Sequence, residues 1–532
     1  MKTIIRQSIK SVATGIMVLL LTTACVDLDI KPYDRMSDIQ YWEKEDAALL
    51  ALNTCYANLT NIYEILYSDA MTDNAYCKVQ SYNQAVGNGS FASDDAYVLA
   101  VWSTKYAGIR ACNILLDNID KVPDLSAELK NRYIAEAKVI RAFFYFELYS
   151  KFGDIPYFTS TISLEDSQTV PRYPKAQIVE HLLADLTTIT DSEHLPVSYS
   201  GADKGRVTRY AAIALKARIL LFEGRFPEVK TETEKLLGKF SLYPDYEGLF
   251  YAANEGNQEI ILDVQYMLNT REHAVQYEFL PPSLGGYSQL APLQELVDNY
   301  IATDGKPITE SADYSSSQPF VNRDPRLAAT VVYTGNSYLK ANGSKAVINC
   351  DRNAGPDGFG FSSDCTPTGY YFKKYWDKDH RESLNSGLNV ILIRYADVLL
   401  MHAEAAAETG TLDEATWDKT IKLLRQRAGF TKAEALNFPA VSSNDLIRIV
   451  RRERRSELAF EGLRHKDIIR WQLAEEVLNG YCHGFYTGDI IGTDNGFVRI
   501  ENRTFDKTKH YLWPIPRNER DLNGKLSQNP NW

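Results

Sequence analysis

Apolar residues recur at helical spacing between about residues 41 and 240. The clearest stripe has steps of four, three, four and four positions, which puts its members on one face of a helix: Tyr133, Ala137, Ile140, Phe144 and Leu148. Gly153 and Pro156 follow the stripe and predict the end of this helix. The pattern therefore predicts a first helical block over residues 41–240.

Alanine-rich segments predict helices that approach their neighbours closely. One such segment covers residues 209–222, ends before Gly224, and is followed by a helix that Pro227 opens. Another covers residues 393–408 and begins a second helical block over about 391–480. Helical pairs of this kind build tetratricopeptide-type repeats, although the Trp, Leu, Gly and Tyr signature of that repeat is not recognisable here. The other helices predicted in the second block cover residues 414–428, 445–460 and 467–478.

The segment between residues 255 and 387 differs from both helical blocks. It is rich in Gly, Pro, Ser, Asn and Tyr, and only residues 259–267 and 329–333 have the pattern of short strands. Long irregular segments inside a compact domain usually carry function. We interpret this segment as a loop-rich insertion that shares one domain, residues 25–532, with the helical blocks and a C-terminal tail over residues 481–532.

The first 24 residues have the pattern of an export signal peptide. Three basic residues precede an apolar stretch over residues 13–21, which is well short of the roughly 20 residues that a membrane-spanning helix needs. Cys25 follows a small residue as in a bacterial lipobox, although Thr22 stands where that motif usually has Leu. We expect cleavage before Cys25 and lipidation of this residue, so that acyl chains alone hold the protein on a membrane. The alternative is cleavage nearby to give a soluble periplasmic protein.

Charge and composition narrow the classes of partner. The chain has 58 Lys and Arg against 69 Asp and Glu, a net charge of −11, which argues against a nucleic-acid partner. Its 33 tyrosines exceed what a core needs, because each buried phenol requires a hydrogen-bond partner. We therefore expect many tyrosines to face water or a ligand.

Cys350 and Cys365 are the candidate pair for a disulfide bond. They flank a Gly- and Asp-rich loop, and an exported protein meets an oxidising compartment. Closing a loop of this length with a disulfide would contribute roughly 3 kcal/mol. Whether the two cysteines are bonded stays open at this stage.

The usual markers of catalytic and cofactor sites are absent from the sequence. It contains no HExxH, GxSxG, GxxxxGK or strand-associated GxGxxG motif. The SxxK at residues 337–340 follows a predicted strand and lacks the companion motifs of penicillin-recognising enzymes. His402 and Glu404 form half of a zinc deaminase signature without its PCxxC, so we interpret His402 as a core or surface residue. We predict no catalytic residue, metal or cofactor, although a glycosidase pair of carboxylates cannot be recognised from sequence.

A basic run over residues 451–455 lies in a predicted helix. Glu457 and Glu461 follow it at helical neighbour spacings, which favours charge pairing over nucleic-acid binding. Arg454 falls on the apolar face of this helix. We predict that Arg454 is partly buried and paired with a carboxylate.

Several segments together resemble the SusD/RagB-like family of outer-membrane lipoproteins. They occur in the same order over nearly the whole chain: the lipobox and acidic start at residues 25–32, AEAKVIRAFFYFELYSKFGDIP at 135–156, RVTRYAAIALKARILL at 206–221, DPRL at 324–327, LIRYADVLLMHAEA at 392–405, RRERRSELAFEGLRHKDIIRW at 451–471 and LWPIPRNERDLNGKLSQNPNW at 512–532.

The resemblance implies a mostly α fold of four tetratricopeptide-like helical hairpins with a loop-rich irregular insertion. It also implies a protein without catalytic activity, held on the cell-surface side of the outer membrane by its lipid. Such a protein captures an oligo- or polysaccharide and delivers it to a SusC-like TonB-dependent transporter. Two alternatives remain: a peptide-capturing RagB-like protein of the same fold, and a surface glycoside hydrolase.

The ligand-contacting residues of this family do not lie in its shared motifs, so the site must be argued from chemistry. A sugar presents apolar C–H faces and hydroxyl rims, which require exposed aromatic rings beside polar side chains. Two tyrosine-bearing loops, 76–89 and 280–289, supply both kinds of residue, and Tyr314 is a further candidate. The candidate ligand-binding residues are Tyr76, Tyr82, Asn83, Gln84, Asn88, Tyr287, Gln289 and Tyr314.

Overall fold

The chain folds into a mostly α-helical structure, as its sequence predicts. The computed structural model describes residues 41–44, 46–79, 83–379 and 384–532. Its α-helices are α1 Ala47–Ala57, α2 Ile62–Tyr67, α3 Asn83–Asn88, α4 Ala96–Asn118, α5 Ala127–Phe152, α6 Leu164–Ser167, α7 Lys175–Asp191, α8 Arg209–Phe222, α9 Phe226–Glu234, α10 Val275–Phe279, α11 Gln294–Asn299, α12 Pro325–Thr330, α13 Tyr395–Glu408, α14 Glu414–Lys419, α15 Ile421–Ala428, α16 Ala433–Leu436, α17 Ser443–Glu457, α18 Arg464–Arg470, α19 Ala474–Val477 and α20 Arg517–Leu522.

The β-structure is limited to short antiparallel pairings. In the described part of the chain, β1 pairs with β3, β2 with β8, β4 with β7 and β5 with β6, and one three-stranded sheet has the order β10-β11-β9. The strands are β1 Ala75–Cys77, β2 Ile260–Val264, β3 Leu290–Pro292, β4 Val331–Val332, β5 Ser337–Leu339, β6 Lys345–Val347, β7 Tyr371–Phe372, β8 Val390–Arg394, β9 Gly480–Tyr486, β10 Thr493–Asp494 and β11 Phe497–Arg503.

Long helices pack as neighbouring antiparallel pairs in the first half of the chain. The predicted stripe lies on α5, whose apolar residues are buried against α4. A Cβ atom at Gly108 of α4 would lie 2.4 Å from the ring of Phe144, so glycine allows the two helices to approach this closely. The predicted helix is correct in position and extends further than the stripe at both ends.

The two alanine-rich helices, α8 and α13, form the centre of the helical part. Their alanines are buried, and both helices pack against α9. His402 on α13 is buried, and its Nδ1 lies 2.9 Å from Oγ1 of Thr233. The structure therefore places His402 in the core, one of the two positions that its sequence context favours over a zinc site.

Three predicted helices have different boundaries in the structure. The predicted helix over residues 467–478 is divided into α18, which ends at Arg470, and α19, which begins at Ala474. Helix α13 begins at Tyr395 and not at Ile393, because Val390–Arg394 is a fully buried strand that pairs with β2. A run of buried β-branched and aliphatic residues favours a strand over a helical turn. The predicted helix over residues 414–428 is divided into α14 and α15 at Thr420, whose backbone angles of φ −129° and ψ −89° are not helical.

A network of buried ion pairs connects helix α17 to distant segments of the chain. Glu457 accepts hydrogen bonds from Arg326 at 2.9 Å, from Arg394 at 2.7 Å and from Arg427. Burial raises the pKa of Glu457, but the three arginines outweigh this effect and hold it well below its ordinary value. Because these arginines belong to α12, β8 and α15, one carboxylate holds four elements together.

Arg454 of α17 is buried and paired with carboxylates, as its position on the apolar face predicts. It donates to Asp397 at 2.7 Å and to Asp467 at 2.8 Å. The expectation that Glu457 and Glu461 neutralise the basic run within the helix is wrong, because both carboxylates bind basic residues of other segments. Tertiary pairing has replaced pairing along the helix.

The described part of the structure contains no disulfide bond, no cluster of metal-ligating residues and no membrane-spanning helix. Cys350 and Cys365 are buried free thiols, and Sγ of Cys365 donates to the carbonyl of Pro356 at 2.9 Å. Within the described ranges, no cluster of three or more His, Cys, Asp or Glu residues could hold a metal ion. No helix in the same part of the chain is long and apolar enough to cross a bilayer.

We expect Arg454→Ala to lower the free energy of unfolding by about 3 kcal/mol, because the buried carboxylates of Asp397 and Asp467 would each lose a cationic partner. Chemical denaturation followed by circular dichroism measures this change. Arg448→Ala is the matched control: Arg448 lies on the same helix in an exposed pair with Asp445, so its removal should change the free energy of unfolding far less than Arg454→Ala does. Equal stability of the two variants would contradict the structural role of Arg454.

Candidate functional site

The pairing of β1 with β3 brings the two predicted tyrosine-bearing loops together. Tyr76 lies opposite Ala291 and Cys77 opposite Leu290 in this antiparallel pairing. The backbone N–H of Lys78 extends it by donating to the carbonyl of Gln289 at 2.9 Å. Segments more than 200 positions apart in the sequence are therefore adjacent in space.

A cleft of about 390 Å³ opens beside this pairing. Its lining combines tyrosines, amides and two carboxylates: Asn61, Tyr63, Glu64, Tyr67, Cys77, Val79, Asn83, Tyr97, Glu278, Tyr287 and Gln289. A wider groove of about 980 Å³ lies elsewhere, between α4, residues 156–170 and α20, and exposes Leu164 and Leu522. We select the smaller cleft because it joins aromatic rings and polar groups from both predicted loops.

Helix α2 positions two tyrosines on one wall of the cleft. Tyr63 and Tyr67 are four positions apart and therefore share a face of this helix. The side chain of Asn61 caps the helix by accepting from the N–H of Glu64 at 3.0 Å. The hydroxyl of Tyr63 accepts from the N–H of Ala274 at 2.9 Å, and that of Tyr67 donates to Glu278 at 2.5 Å. Both rings are thus held by contacts on their polar ends.

Tyr287 forms part of the opposite wall. Its ring packs edge to face against Tyr277, with centroids 4.6 Å apart and an interplanar angle of 71°. The loop that carries it turns sharply at Gly286, where a Cβ atom would lie 2.3 Å from the carbonyl oxygen of Leu280. Glycine at this position therefore allows Tyr287 to face the cleft.

Lys78, which directly follows β1, binds two separate segments of the loop-rich insertion. Its ammonium group donates to the carbonyl of Tyr287 at 2.9 Å and to the carbonyl of Ser363 at 2.7 Å. Burial lowers the pKa of Lys78 to about 8, although Asp364 acts in the opposite direction. Lys78 thus fixes the backbone around the cleft.

The two carboxylates of the lining have different surroundings. Glu64 pairs with Lys105 at 2.5 Å and accepts from the hydroxyl of Thr60 at 2.6 Å. Burial raises the pKa of Glu278, and the hydrogen bond from Tyr67 only partly offsets it. Glu278 is therefore a partly desolvated carboxylate that a phenol, and not a cation, supports.

Three of the sequence-predicted residues line this cleft: Asn83, Tyr287 and Gln289. The amide of Asn83 donates to the hydroxyl of Tyr97 at 2.7 Å. Tyr76 lies on β1 but is not part of the lining. Tyr314 packs beneath the guanidinium of Arg323, 5.5 Å from its ring centre, and does not line the cleft.

Gln84 and Asn88 of α3 belong to the frame beneath the cleft. The fully buried Gln84 accepts from the N–H of Cys77 at 2.9 Å and donates to Glu501 of β11. Asn88 donates to the other carboxylate oxygen of Glu501 at 2.9 Å. These contacts occupy their polar groups, so we do not retain either residue as a ligand contact. Tyr82 and Cys25 lie outside the described residues.

Sequence reasoning missed Tyr63, Tyr67 and Glu278. The spacing of the two tyrosines was a usable signal, because residues four apart share a helix face. Helix α2, however, has only six residues, and Glu278 comes from another segment. The combined set offers aromatic rings, amides and a carboxylate, which suits a ligand with apolar faces and many hydroxyl donors.

Two family models match the chain over different parts. The model described as "SusD family" matches residues 247–532, and the one described as "Starch-binding associating with outer membrane" matches residues 28–221. Among curated proteins, "SusD-like protein P25" of Formosa agariphila is 25% identical over 523 residues, which cover 91% of this chain and 91% of that protein.

Solved structures of similar proteins share the fold. A SusD-like carbohydrate-binding protein from Bacteroides fragilis NCTC 9343 superimposes with a TM-score of 0.82 at 27% identity, covering 92% of this chain and all of that one. A SusD-like protein from the same organism superimposes with a TM-score of 0.80 at 25% identity, covering 94% of this chain and all of that one. The chain therefore shares its arrangement of helices and short strands with these two proteins.

Proposed function

The chain belongs to the SusD family, and from this premise we propose that it is a cell-surface glycan-binding lipoprotein. It captures an oligo- or polysaccharide and delivers it to a SusC-like TonB-dependent transporter of the outer membrane. The family description of association with the outer membrane and the carbohydrate-binding relative from Bacteroides fragilis support the glycan and the location. We assign capture to the cleft between α2 and the loop that carries Tyr287.

This proposal rests on one observation: Tyr63, Tyr67 and Tyr287 line the same cleft as amide and carboxylate groups. Tyrosine rings offer apolar area to the C–H face of a sugar, while Asn83, Gln289 and similar groups bind its hydroxyls. A flexible saccharide loses conformational entropy on binding, so we expect a Kd of roughly micromolar to millimolar for a short fragment. Several contacts with one polymer raise the overall affinity through avidity.

We further propose that the protein binds its ligand without chemical change. Glycoside hydrolysis requires a proton-donating carboxylic acid and a second free carboxylate on the two sides of the bond. In the cleft, Lys105 pairs with Glu64, which leaves Glu278 as the carboxylate that has no basic partner among the described residues. This arrangement favours binding over hydrolysis. Release of reducing ends from a polysaccharide by the purified protein would favour the hydrolase alternative.

The lipid anchor and the transporter complete the proposal. Cys25 follows a signal-like segment and would carry the acyl chains, so that the folded part lies beside the membrane without crossing it. The assignment of a SusC-like partner rests on the resemblance of the chain to its family. In this arrangement the protein holds nutrient where the transporter can receive it.

We expect Tyr287→Ala to weaken saccharide binding about fivefold, because one aromatic contact contributes on the order of 1 kcal/mol. Isothermal titration against neutral and acidic oligosaccharides and a set of peptides identifies the ligand and then compares the variants. The melting temperature should stay within about 2 °C, since a loop side chain contributes little to stability.

Tyr486→Ala is the matched control for this titration, because Tyr486 is 62% exposed and lies outside the cleft. It should retain wild-type affinity. Unchanged binding in Tyr287→Ala would remove the cleft assignment. Binding of peptides in preference to every saccharide would support the RagB-like alternative.

We expect Cys25→Ser to abolish incorporation of labelled palmitate and to release the protein from the membrane fraction, because the thiol that carries the lipid is absent. Metabolic labelling and fractionation of cells that express the protein measure both effects. Thr23→Ser, two positions away, should leave labelling intact. Continued membrane attachment of unlabelled Cys25→Ser would contradict the lipid anchor.

A further inference from the structure

We propose that the cleft selects uncharged saccharides over acidic ones, and that Glu278 is the residue that determines this selection. The inference rests on the proposed function of the cleft as a saccharide site. It adds the class of ligand: neutral glycans, as opposed to uronate-containing or sulfated glycans.

The charges along the cleft support this selection. Among the lining residues that the structure describes, two are carboxylates and none is Lys, Arg or His. Glu64 is offset by Lys105, whose ammonium group lies 2.5 Å away. Glu278 has no such partner among the residues that the structure describes, and its hydrogen bond comes from the neutral phenol of Tyr67. One uncompensated negative charge therefore belongs to the site.

Lys78 directly follows β1, the strand beside the cleft, but its ammonium group binds backbone carbonyls. Its ammonium group donates to the carbonyls of Tyr287 and Ser363. Within the described ranges, the carboxylate that opposes the effect of burial on the pKa of Lys78 is Asp364, and no cation lowers the pKa of Glu278. Lys78 thus leaves the charge of Glu278 uncompensated.

Buried carboxylates elsewhere in the described chain are of two kinds: Asp69 and Asp263 accept from side-chain amides, whereas others are paired with arginines. Glu457 has three arginines, Asp397 has two and Asp73 has two. Stability alone would favour a similar partner for Glu278, since an unpaired, partly buried carboxylate is costly. Because no described residue pairs a cation with Glu278, its charge is available to a ligand in the cleft.

The chemical consequence differs between the two classes of glycan. The hydroxyls of a neutral sugar can donate hydrogen bonds to Glu278, and a bond to a charged acceptor is stronger than one between neutral groups. A carboxylate or sulfate on the sugar meets a like charge in a partly desolvated cleft, where repulsion is larger than in bulk water. The same carboxylate therefore favours one class and opposes the other.

Glu278→Gln separates the charge from the shape of the side chain. Glutamine keeps the length of the side chain and a carbonyl that can accept from Tyr67, but it removes the negative charge. The probes are a neutral oligosaccharide that the titration panel identifies as a ligand and the same oligosaccharide with its primary alcohols oxidised to carboxylates. The readout is the ratio of the two dissociation constants, which does not depend on a general loss of affinity.

We expect wild-type protein to bind the oxidised form at least tenfold more weakly than the neutral form at low salt. Glu278→Gln should reduce this ratio to threefold or less. Glu434→Gln, which removes an exposed carboxylate outside the cleft, should keep the wild-type ratio. A second measurement uses wild-type protein alone: raising the salt concentration should decrease the ratio, because ions screen the repulsion.

The outcomes separate this inference from the proposed function. No binding to any saccharide would contradict the proposed function itself. Equal or tighter binding of the oxidised form by wild-type protein would overturn the selection while the glycan-binding function stands. A ratio that Glu278→Gln leaves unchanged, in a variant with wild-type melting temperature, would show that Glu278 does not determine it.

Discussion

The buried carboxylate of Glu457 is the contact on which most of the architecture depends. It binds arginines from α12, β8 and α15, and therefore fixes the loop-rich insertion and the second helical block against α17. Two residues earlier on the same helix, Arg455 binds the side chain of Asn74 and the carbonyl of Asp73 at 2.8 Å each. Asp73 and Asn74 immediately precede β1, the strand beneath the cleft. Helix α17 thus links the ionic core to the candidate site.

A rigid frame beneath the cleft favours binding, because a site that is already formed loses less entropy when a flexible ligand binds. Arg503 of β11 donates to the carbonyl of Ala75 at 2.9 Å, while Gln84 and Asn88 hold the neighbouring Glu501. These polar contacts fix the position of β1 from below. The tyrosines stand on this frame, and their rings, not its ion pairs, are available to a ligand. Stability and recognition are therefore carried by different side chains of the same region.

The sequence predicts the helical stripes well because helical periodicity is a local property. It predicts the ion-pair network poorly, since Glu457 and Arg326 are 131 positions apart and only the fold brings them together. The same reason explains the mixed result at the site. Polar Gln84 and Asn88 have the composition of ligand contacts, but Glu501, more than 400 positions away, occupies their amides. Glu278 can be recognised as a site residue only from its contact with Tyr67, which lies 211 positions earlier in the chain.

We propose that a saccharide binds between α2 and the loop that carries Tyr287. A crystal structure of the purified protein soaked with the oligosaccharide that it binds in titration tests this claim most directly. We expect a sugar ring against Tyr63, Tyr67 or Tyr287, with a hydroxyl within hydrogen-bond distance of Glu278. Density for the sugar in the larger groove between α4 and α20, with the tyrosine cleft empty, would contradict it.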